Sequence, residues 1–216
     1  MIKSEKENCL RYLFKESRDS VEYLKKYSIY LNKLLSNMNY KNIASVIECF
    51  SQARSRSSNV FFIGNGGSAA TASHFAQDLA EVGRKTGKQK FKTHCLTDNI
   101  SLLTAMGNDY GYESIFTHQM SNLFEKRDIL VAISASGNSQ NVVEAVKLAK
   151  KMGGISIGLI GFDGGKLINL CDHVIHVVTN NGEYGPVEDV HLVLDHMITS
   201  YFICNDKNPK NDSIIR

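Results

Sequence analysis

The sequence predicts an α/β fold, a three-layer, doubly wound sandwich with a five-stranded parallel sheet and additional N-terminal helices. Three observations support this prediction. Residues 1–57 contain no glycine or proline, five short apolar segments follow them, and a helical pattern separates each segment from the next. Strands that alternate with helices in this way form a parallel sheet that is covered on both faces.

The N-terminal segment, residues 1–57, is predicted to form two or three amphipathic helices. Apolar residues recur in it at helical spacing. They are Leu10, Leu13, Phe14, Val21, Leu24, Ile29, Leu31, Leu34, Leu35, Ile43, Val46, Ile47 and Phe50. A segment of this size cannot bury its own apolar stripes, so we expect it to pack on the rest of the chain or on a second subunit.

The predicted strands are apolar segments rich in Val, Ile or Phe, each closed by Gly, Ser, Asp or Asn, as is typical of buried parallel strands. They are residues 60–63, 92–96, 129–133, 155–160 and 174–178. The predicted helices cover residues 69–82, 99–106, 112–124, 139–152, 165–170 and 187–203. We therefore divide the chain into a helical extension for oligomerisation (1–57), an α/β domain (58–204) and a polar, frayed tail (205–216).

The composition argues against several classes of protein. Apolar residues make up 43% and charged residues 22% of the chain, which is typical of a globular protein and not of a disordered or membrane chain. The net charge of +3 is too small to indicate nucleic-acid binding. No apolar segment approaches the length of a signal peptide core or of a membrane span. The five scattered cysteines are typical of a reduced protein, so we expect a cytoplasmic location.

The first loop of interest, Gly64-Asn65-Gly66-Gly67-Ser68, lies between a predicted strand and a predicted helix. Its glycines allow close approach of a ligand, and the helix start offers free N–H groups to an anion. The spacing lacks the third glycine of a dinucleotide fingerprint and the lysine of a P-loop. The alternative is a tight turn without a ligand.

The second loop of interest has the sequence SASGNS at residues 134–139, again between a strand and a helix. Three hydroxyls and several backbone N–H groups lie within one turn, and no Lys or Arg accompanies them. This arrangement suits a phosphate monoester held by neutral donors. An ordinary helix cap at Ser139 would account for one of the three serines only.

Two helices carry candidate acid–base residues. His74 and Asp78 are four residues apart and share a helix face. Glu188 and His196 are eight residues apart, about two turns along the last predicted helix. One histidine and one carboxylate from each helix could hold a single cation, and zinc accepts such a mixture of ligands. From spacing alone, an exposed hydrogen-bonded His–Asp pair remains the alternative.

Five segments, in this order, carry a family resemblance: NGGSAATASHFAQDL, GNDYGYESIF, SASGNSQNV, GFDGGKL and EDVHLVLDHM. Through them, residues 59–203 resemble the sugar isomerase (SIS) family of phosphosugar-binding domains, and within it the enzymes that isomerise sedoheptulose 7-phosphate. The resemblance implies the flavodoxin-like strand order 2-1-3-4-5. It also implies a homotetramer whose sites are completed by neighbouring subunits.

The resemblance implies a set of substrate contacts. They are Asn65, Gly66, Gly67, Ser68, Asn108, Asp109, Ser134, Ala135, Ser136, Ser139 and Glu188. Ala135 stands where the best-matched enzymes carry Thr. Because the backbone N–H survives this change, we expect phosphate binding to be retained but slightly weakened.

The resemblance further implies zinc, or another divalent cation, bound by His74, Asp78, Glu188 and His196. The family's usual set is His, Glu, Gln and His, so Asp78 stands for the Glu and Glu188 for the Gln. Two close carboxylates repel each other, which favours a bound cation over an empty site. A further departure is Gly185, which stands where the best-matched enzymes carry an Asp.

The implied reaction moves a proton between C1 and C2 of the sugar through an enediol, giving D-glycero-D-manno-heptose 7-phosphate for lipopolysaccharide or capsule. We expect Asp78 to be the base, with Glu188 as the second candidate, and His196 to be the acid–base partner. His191 is expected to be a hydrogen-bonded core or interface histidine. Asp189 and Asp195 are expected to be solvated or helix-capping.

Two other functions stay open from the sequence. The first is an isomerase or epimerase of a different phosphosugar, which the changes at Ala135 and Gly185 allow. The second is a non-catalytic member of the same fold that binds the bacterial replication initiator. Such a binding protein would not need the acid–base residues that this chain retains.

Overall fold

The computed structural model describes residues 8–208 and confirms the predicted sheet. Its five strands are all parallel, in the order β2-β1-β3-β4-β5. They are β1 (Asn59–Ile63), β2 (Lys92–Cys95), β3 (Ile129–Ser134), β4 (Ile155–Ile160) and β5 (His173–His176). All five predicted strands therefore exist, with bounds that differ by one or two residues at some ends.

Nine helices flank this sheet within the described part of the chain. They are α1 (Cys9–Lys15), α2 (Ser20–Ser36), α3 (Tyr40–Arg56), α4 (Gly67–Thr86), α5 (Ile100–Tyr110), α6 (Thr117–Leu123), α7 (Gln140–Lys151), α8 (Leu167–Leu170) and α9 (Tyr184–Asp206). None of the helices in residues 8–208 has both the length and the apolar character needed to cross a membrane.

The sheet has one apolar cluster on each face, which confirms the three-layer arrangement. Alternate residues of β1 point to opposite faces, as the two-residue period of a strand requires. Val60 and Phe62 join α2, α3, α4 and α9 in the larger cluster. Phe61 and Ile63 join α6, α7 and α8 in the other. Since helices cover both faces, ligands have access at the carboxyl ends of the strands.

The N-terminal segment forms three helices, of which two contribute to the core. Leu34 of α2 and Phe50 of α3 lie in the larger cluster. Glu183, a buried residue just before α9, accepts hydrogen bonds from the Cys9 backbone N–H (2.6 Å) and the Tyr30 hydroxyl (2.5 Å). These contacts attach α1 and α2 to the beginning of α9.

Several helix bounds differ from the prediction for local reasons. The segment predicted as one helix at 112–124 divides into a 3₁₀ turn (Tyr112–Ser114) and α6. Gly111, with a positive φ of 89°, separates this segment from α5. Helix α8 is shorter than predicted, since Gly164 and Gly165 also have positive φ.

The last helix is longer than predicted at both ends. It begins at Tyr184 instead of residue 187, and Pro186 is accommodated in its first turn, where no intrahelical N–H donor is needed. It ends at Asp206, so the first two residues of the predicted tail are helical. Residues 209–216 of that tail lie outside the described residues.

Candidate active site

The two predicted ligand-binding loops meet at the carboxyl edge of the sheet. Strands β1 and β3 are neighbours and parallel, so the loops that follow them lie side by side. They enclose a cavity of about 130 Å³. Its lining residues are Asn65, Ser68, Ile133, Ser134, Ala135, Ser136, Ser139, Tyr184 and Glu188. Most of the predicted substrate contacts therefore share one cavity.

The serine loop leaves the beginning of α7 without a side-chain cap. Ser139 occupies the N-cap position, but its side chain makes no capping hydrogen bond. Its Oγ lies 3.4 Å from Ser134 Oγ, and Ser134 Oγ accepts a hydrogen bond from the Gly137 N–H (3.2 Å). The interpretation of Ser139 as an ordinary cap is thus not supported. The free N–H groups of α7 and the helix dipole favour an anion in the cavity.

The glycine loop makes a second helix start at the same cavity. Gly66, with φ of 55°, precedes α4 and supplies no side-chain cap. Gly67 lies directly against the carboxylate of Glu188, so that a Cβ at this position would overlap the carboxylate oxygens. A side chain at position 67 would therefore displace the Glu188 carboxylate from its place in the cavity.

Asn65 is held in place by two side chains that the sequence analysis did not identify. Its amide exchanges two hydrogen bonds of 2.9 Å with Asn141 of α7, and its Oδ1 accepts a third from the Tyr112 hydroxyl (2.8 Å). Tyr184 also lines the cavity without having been predicted. Tyr112 and Asn141 lie within two of the segments that carry the family resemblance, which is the signal that could have found them, whereas Tyr184 lies in none of those segments.

Asn108 and Asp109 are not among the residues that line this cavity. Both are exposed near the end of α5, and the Asn108 amide donates to Asp109 Oδ1 at 2.8 Å. They therefore do not share the cavity with the other predicted substrate contacts.

A second group of chemistry-bearing side chains lies further along α4 and α9. His74 Nε2 is 3.6 Å and His196 Nε2 is 3.9 Å from Asp78 Oδ2. One donor atom from each of His74, Asp78, Asp195 and His196 lies within 4.8 Å of the other three. Both histidine side chains are about half exposed, which leaves the group accessible from solvent. Three of the four predicted ligands are thus together.

Glu188, the fourth predicted ligand, is not part of this group in residues 8–208; Asp195 takes its place. The physical reason is the position of Glu188 two turns before His196, where α9 passes the beginning of α4. Burial and the neighbouring charge of Asp189 raise the pKa of the Glu188 carboxyl. Asp189 itself is partly buried and accepts a hydrogen bond from the Tyr27 hydroxyl at 2.5 Å, so it is only partly solvated and is not the cap of α9.

Asp195 is also different from the expectation. Its side chain is fully buried, and neither carboxylate oxygen has a hydrogen-bond partner within residues 8–208. Burial, and then the charge of Asp78, raise the pKa of this carboxyl to about 7. The sequence-based interpretation of Asp195 as solvated or capping is therefore wrong. It failed because α9 is apolar on both sides of this position and gives no sign of which face meets α4.

His191 is a core residue, as one of its two interpretations predicted, and its ring is fully buried beside the backbone of Ile160. Complete burial lowers the pKa of the imidazole to about 4, and the backbone of Ile160 offsets only part of this effect. His191 is therefore neutral at pH 7.

Comparison with known proteins agrees with this geometry. Residues 22–161 match the SIS domain family. A phosphoheptose isomerase from Aliarcobacter butzleri is 40% identical over 170 residues, which cover 73% of this chain and 88% of that protein. A phosphoheptose isomerase from Campylobacter concisus is 44% identical over 140 residues, which cover 64% of this chain and 72% of that protein.

Solved structures show the same similarity. The phosphoheptose isomerase from Neisseria gonorrhoeae aligns with a TM-score of 0.74 and 32% identity, over 84% of this chain and 96% of that one. The phosphoheptose isomerase from Francisella tularensis aligns with a TM-score of 0.77 and 26% identity, over 85% and 98% of the two chains. The match to the SIS domain family covers more than half of the sequence, and the four phosphoheptose isomerases align with this chain over most of their own length. The chain therefore belongs to the SIS domain family.

Proposed function

We propose that this chain is a ketose–aldose isomerase that converts sedoheptulose 7-phosphate to D-glycero-D-manno-heptose 7-phosphate. One observation carries the proposal. The serine-lined cavity lies at the beginnings of α4 and α9, and the His–Asp group lies about two turns further along the same helices, in a chain that is 40% identical to a phosphoheptose isomerase over 73% of its length.

The phosphate group of the substrate would occupy the cavity at the beginnings of α4 and α7. The hydroxyls of Ser134, Ser136 and Ser139 line it, and the positive ends of two helix dipoles face the anion. From Gly67 to His74 the helix axis advances about 10 Å. The rest of a linear sugar phosphate would extend from the cavity toward the His–Asp group.

Proton transfer would be carried out by carboxylates of α4 and α9. We assign Asp78 as the base that removes the proton next to the carbonyl, and Glu188 as the second candidate, since it lies in the cavity itself. His196, with its Nε2 3.9 Å from Asp78 Oδ2, would deliver or accept the proton at a sugar oxygen. The cavity supplies binding energy from the phosphate that holds C1 and C2 in place.

The donor set fits a divalent cation, for which we propose zinc. Two imidazoles converge with two carboxylates, and the buried carboxylate of Asp195 lacks any other partner in residues 8–208. When bound there, such a cation would polarise the carbonyl oxygen of the substrate.

The chain is further proposed to act as a cytoplasmic homotetramer that supplies heptose for lipopolysaccharide or capsule. Exposed apolar side chains on α1 and α2 support self-association; they include Phe14, Val21, Leu24 and Ile29. Asn108 and Asp109, which are exposed, are proposed to contact sugar in a site shared with a neighbouring subunit. Light scattering after size exclusion should give four times the chain mass.

The test is a turnover assay with sedoheptulose 7-phosphate on metal-stripped protein, with and without added zinc, in which the aldose product is detected directly. We expect zinc-dependent product formation. Asp78→Asn and His196→Ala should each lower kcat at least a hundredfold, because each removes a proton-transfer group. Glu48→Gln, a change on the exposed side of α3, is the matched control and should retain full activity.

Full activity in both the Asp78 and His196 variants would show the proton-transfer assignment to be wrong. Absence of product from folded wild-type protein that still binds phosphate esters would exclude the heptose substrate. That result would favour another phosphosugar.

A further inference from the structure

A network of three side chains fixes the orientation of Asn65, which lines the cavity of the serine loop. Asn65 and Asn141 form a closed pair, in which the Nδ2 of each residue donates to the Oδ1 of the other at 2.9 Å. The Tyr112 hydroxyl donates to the same Asn65 Oδ1 at 2.8 Å. Two residues that do not line the cavity therefore hold one that does.

The backbone of α7 decides which end of each amide carries the oxygen. Asn141 is buried, and its Oδ1 also accepts a hydrogen bond from the Val142 N–H at 3.0 Å. If the Asn141 amide were turned over, its NH₂ group would face this N–H, and two donors would meet without an acceptor in a buried place. The Nδ2 of Asn141 must therefore face Asn65, and the oxygen of Asn65 must face this Nδ2.

This arrangement leaves the Asn65 side chain with a free donor and no free acceptor. An amide oxygen has two lone pairs, and an amide NH₂ group has two hydrogens. Asn141 and Tyr112 occupy both lone pairs of Asn65 Oδ1, whereas the pair with Asn141 uses one hydrogen of Asn65 Nδ2. The second hydrogen bonds to no residue in 8–208 and is available to a ligand.

The free donor lies on the side of the cavity that the serine loop forms. Asn141, to which Asn65 is bonded, belongs to the first turn of α7, directly after that loop. Glu188 instead lies on α9, against Gly67. Hydroxyls and an amide N–H are donors to the oxygens of a phosphate group, whereas an amide that presented its oxygen here would repel the anion.

We propose that Asn141 and Tyr112 are positioning residues, which hold Asn65 so that its amide donates to a phosphate oxygen in the cavity and does not present its own oxygen. The inference rests on the proposed function in one respect, the presence of a phosphate group in this cavity. Both residues act through Asn65. Because Tyr112 belongs to the 3₁₀ turn after α5, it also connects that turn to the cavity.

The experiment measures the affinity of the full chain for inorganic phosphate by phosphorus NMR titration, after removal of metal so that no cation binds the anion. Asn141→Leu, of similar volume, removes both bonds of the amide pair and should raise the dissociation constant about tenfold, because a donor to a charged group is no longer held. Tyr112→Phe removes one hydroxyl and should raise it at least about threefold. Tyr110→Phe, which removes the hydroxyl of another exposed tyrosine, is the matched control and should leave it unchanged.

A double-mutant cycle separates positioning from a general structural effect. In an Asn65→Ala background, neither Asn141→Leu nor Tyr112→Phe should weaken phosphate binding further, because no amide is left to orient. In the turnover assay, Tyr112→Phe should raise KM and leave kcat unchanged, since the phosphate is held equally in the ground state and the transition state.

Wild-type affinity in Tyr112→Phe would overturn the proposal, even if Asn141→Leu did not fold. Equal losses in the wild-type and Asn65→Ala backgrounds would overturn it too, because the two residues would then not act through Asn65. Failure of the wild type to bind phosphate at millimolar concentration would contradict the position of the anion. A chain that shows the expected losses but does not isomerise sedoheptulose 7-phosphate would refute the proposed substrate only.

Discussion

Ser139 stands at the N-cap of α7, and yet its side chain does not cap the helix. Asn39 gives the opposite case, since its side chain accepts hydrogen bonds from the N–H groups of Lys41 and Asn42 at the beginning of α3. The two residues occupy equivalent helix positions with different uses. At Ser139 the hydroxyl is available to a ligand, whereas at Asn39 it is the amide oxygen that stabilises the helix.

This difference predicts opposite effects of alanine substitution. Ser139→Ala should raise the KM for the phosphosugar roughly tenfold, the value of one hydrogen bond to a charged group, and leave the free energy of unfolding unchanged. Asn39→Ala should lower that free energy by about 1 kcal/mol and leave KM unchanged. Steady-state kinetics measures the KM of each variant, and urea unfolding measures its free energy of unfolding. A Ser139 variant that is less stable with normal KM would show that its hydroxyl acts as a cap.

His191 predicts a pH dependence of stability. Its folded pKa of about 4 lies below the unfolded value of 6.5. As pH falls below about 6.5, the unfolded chain takes up a proton that the folded chain does not, so stability present above this pH is progressively lost until about pH 4. Between pH 7 and pH 5 this loss amounts to about 2 kcal/mol.

The measurement compares urea unfolding of the wild type and His191→Leu at several pH values. The variant should lose about 2 kcal/mol less than the wild type over this interval, because Leu does not titrate. Parallel stability profiles for the two proteins would contradict a neutral, buried His191.

At the scale of elements, the site depends on backbone packing between loops. Gly137 of the serine loop has φ of 62°, and a Cβ there would overlap the backbone carbonyl of Gly164 in the loop after β4. The serine loop is therefore supported by another loop of the same sheet edge. Gly87, at the end of α4, has a similar φ of 71° but open space around it.

A comparison of Gly87 with Gly137 separates the cost of a left-handed backbone conformation from the cost of a steric overlap. Gly87→Ala should lower the free energy of unfolding by about 1 kcal/mol, which is the cost of a left-handed conformation. Gly137→Ala should lower it by at least about 2 kcal/mol more, because the added overlap meets main chain and not a flexible side chain. Urea unfolding of both variants is the measurement. Equal losses would show that the loops can separate without cost.

At the scale of the whole molecule, α3 and α9 are joined at their carboxyl ends by a nearly buried ion pair. Arg54 donates two hydrogen bonds to Asp206, of 2.9 and 2.7 Å, and its guanidinium lies 5.0 Å from the centre of the Phe91 ring. Thr86 at the end of α4 also donates to Asp206. The contacts connect the N-terminal segment with α4 and α9, the two helices that carry the His–Asp group.

Loss of this pair should destabilise the fold without altering the site. Asp206→Asn should lower the free energy of unfolding by about 3 kcal/mol, because Arg54 stays buried without its counter-charge. Lys147→Gln breaks an exposed pair with Glu144 and is the control, with no change expected. Urea unfolding tests both. A change of less than about 1 kcal/mol in Asp206→Asn would mean that solvent or another group compensates Arg54.

The sequence by itself determined the class of fold, the five strands and the two loops that form the cavity. These features are local. Each depends on residues that are close in the sequence, such as the periodic apolar positions of strands and helices and the glycines and serines at strand ends. The same holds for the His74–Asp78 pair, because a spacing of four on one helix fixes a common face.

Only the tertiary structure decided which distant residues meet. The parallel packing of α4 beside α9 places Glu188 at Gly67 and Asp195 with His74, an arrangement that no spacing within α9 reveals. It likewise brings Asn141 and Tyr112 to Asn65. The physical reason is that burial, and the partners it allows, depend on how two helices are rotated against each other, which is a property of the whole packed core.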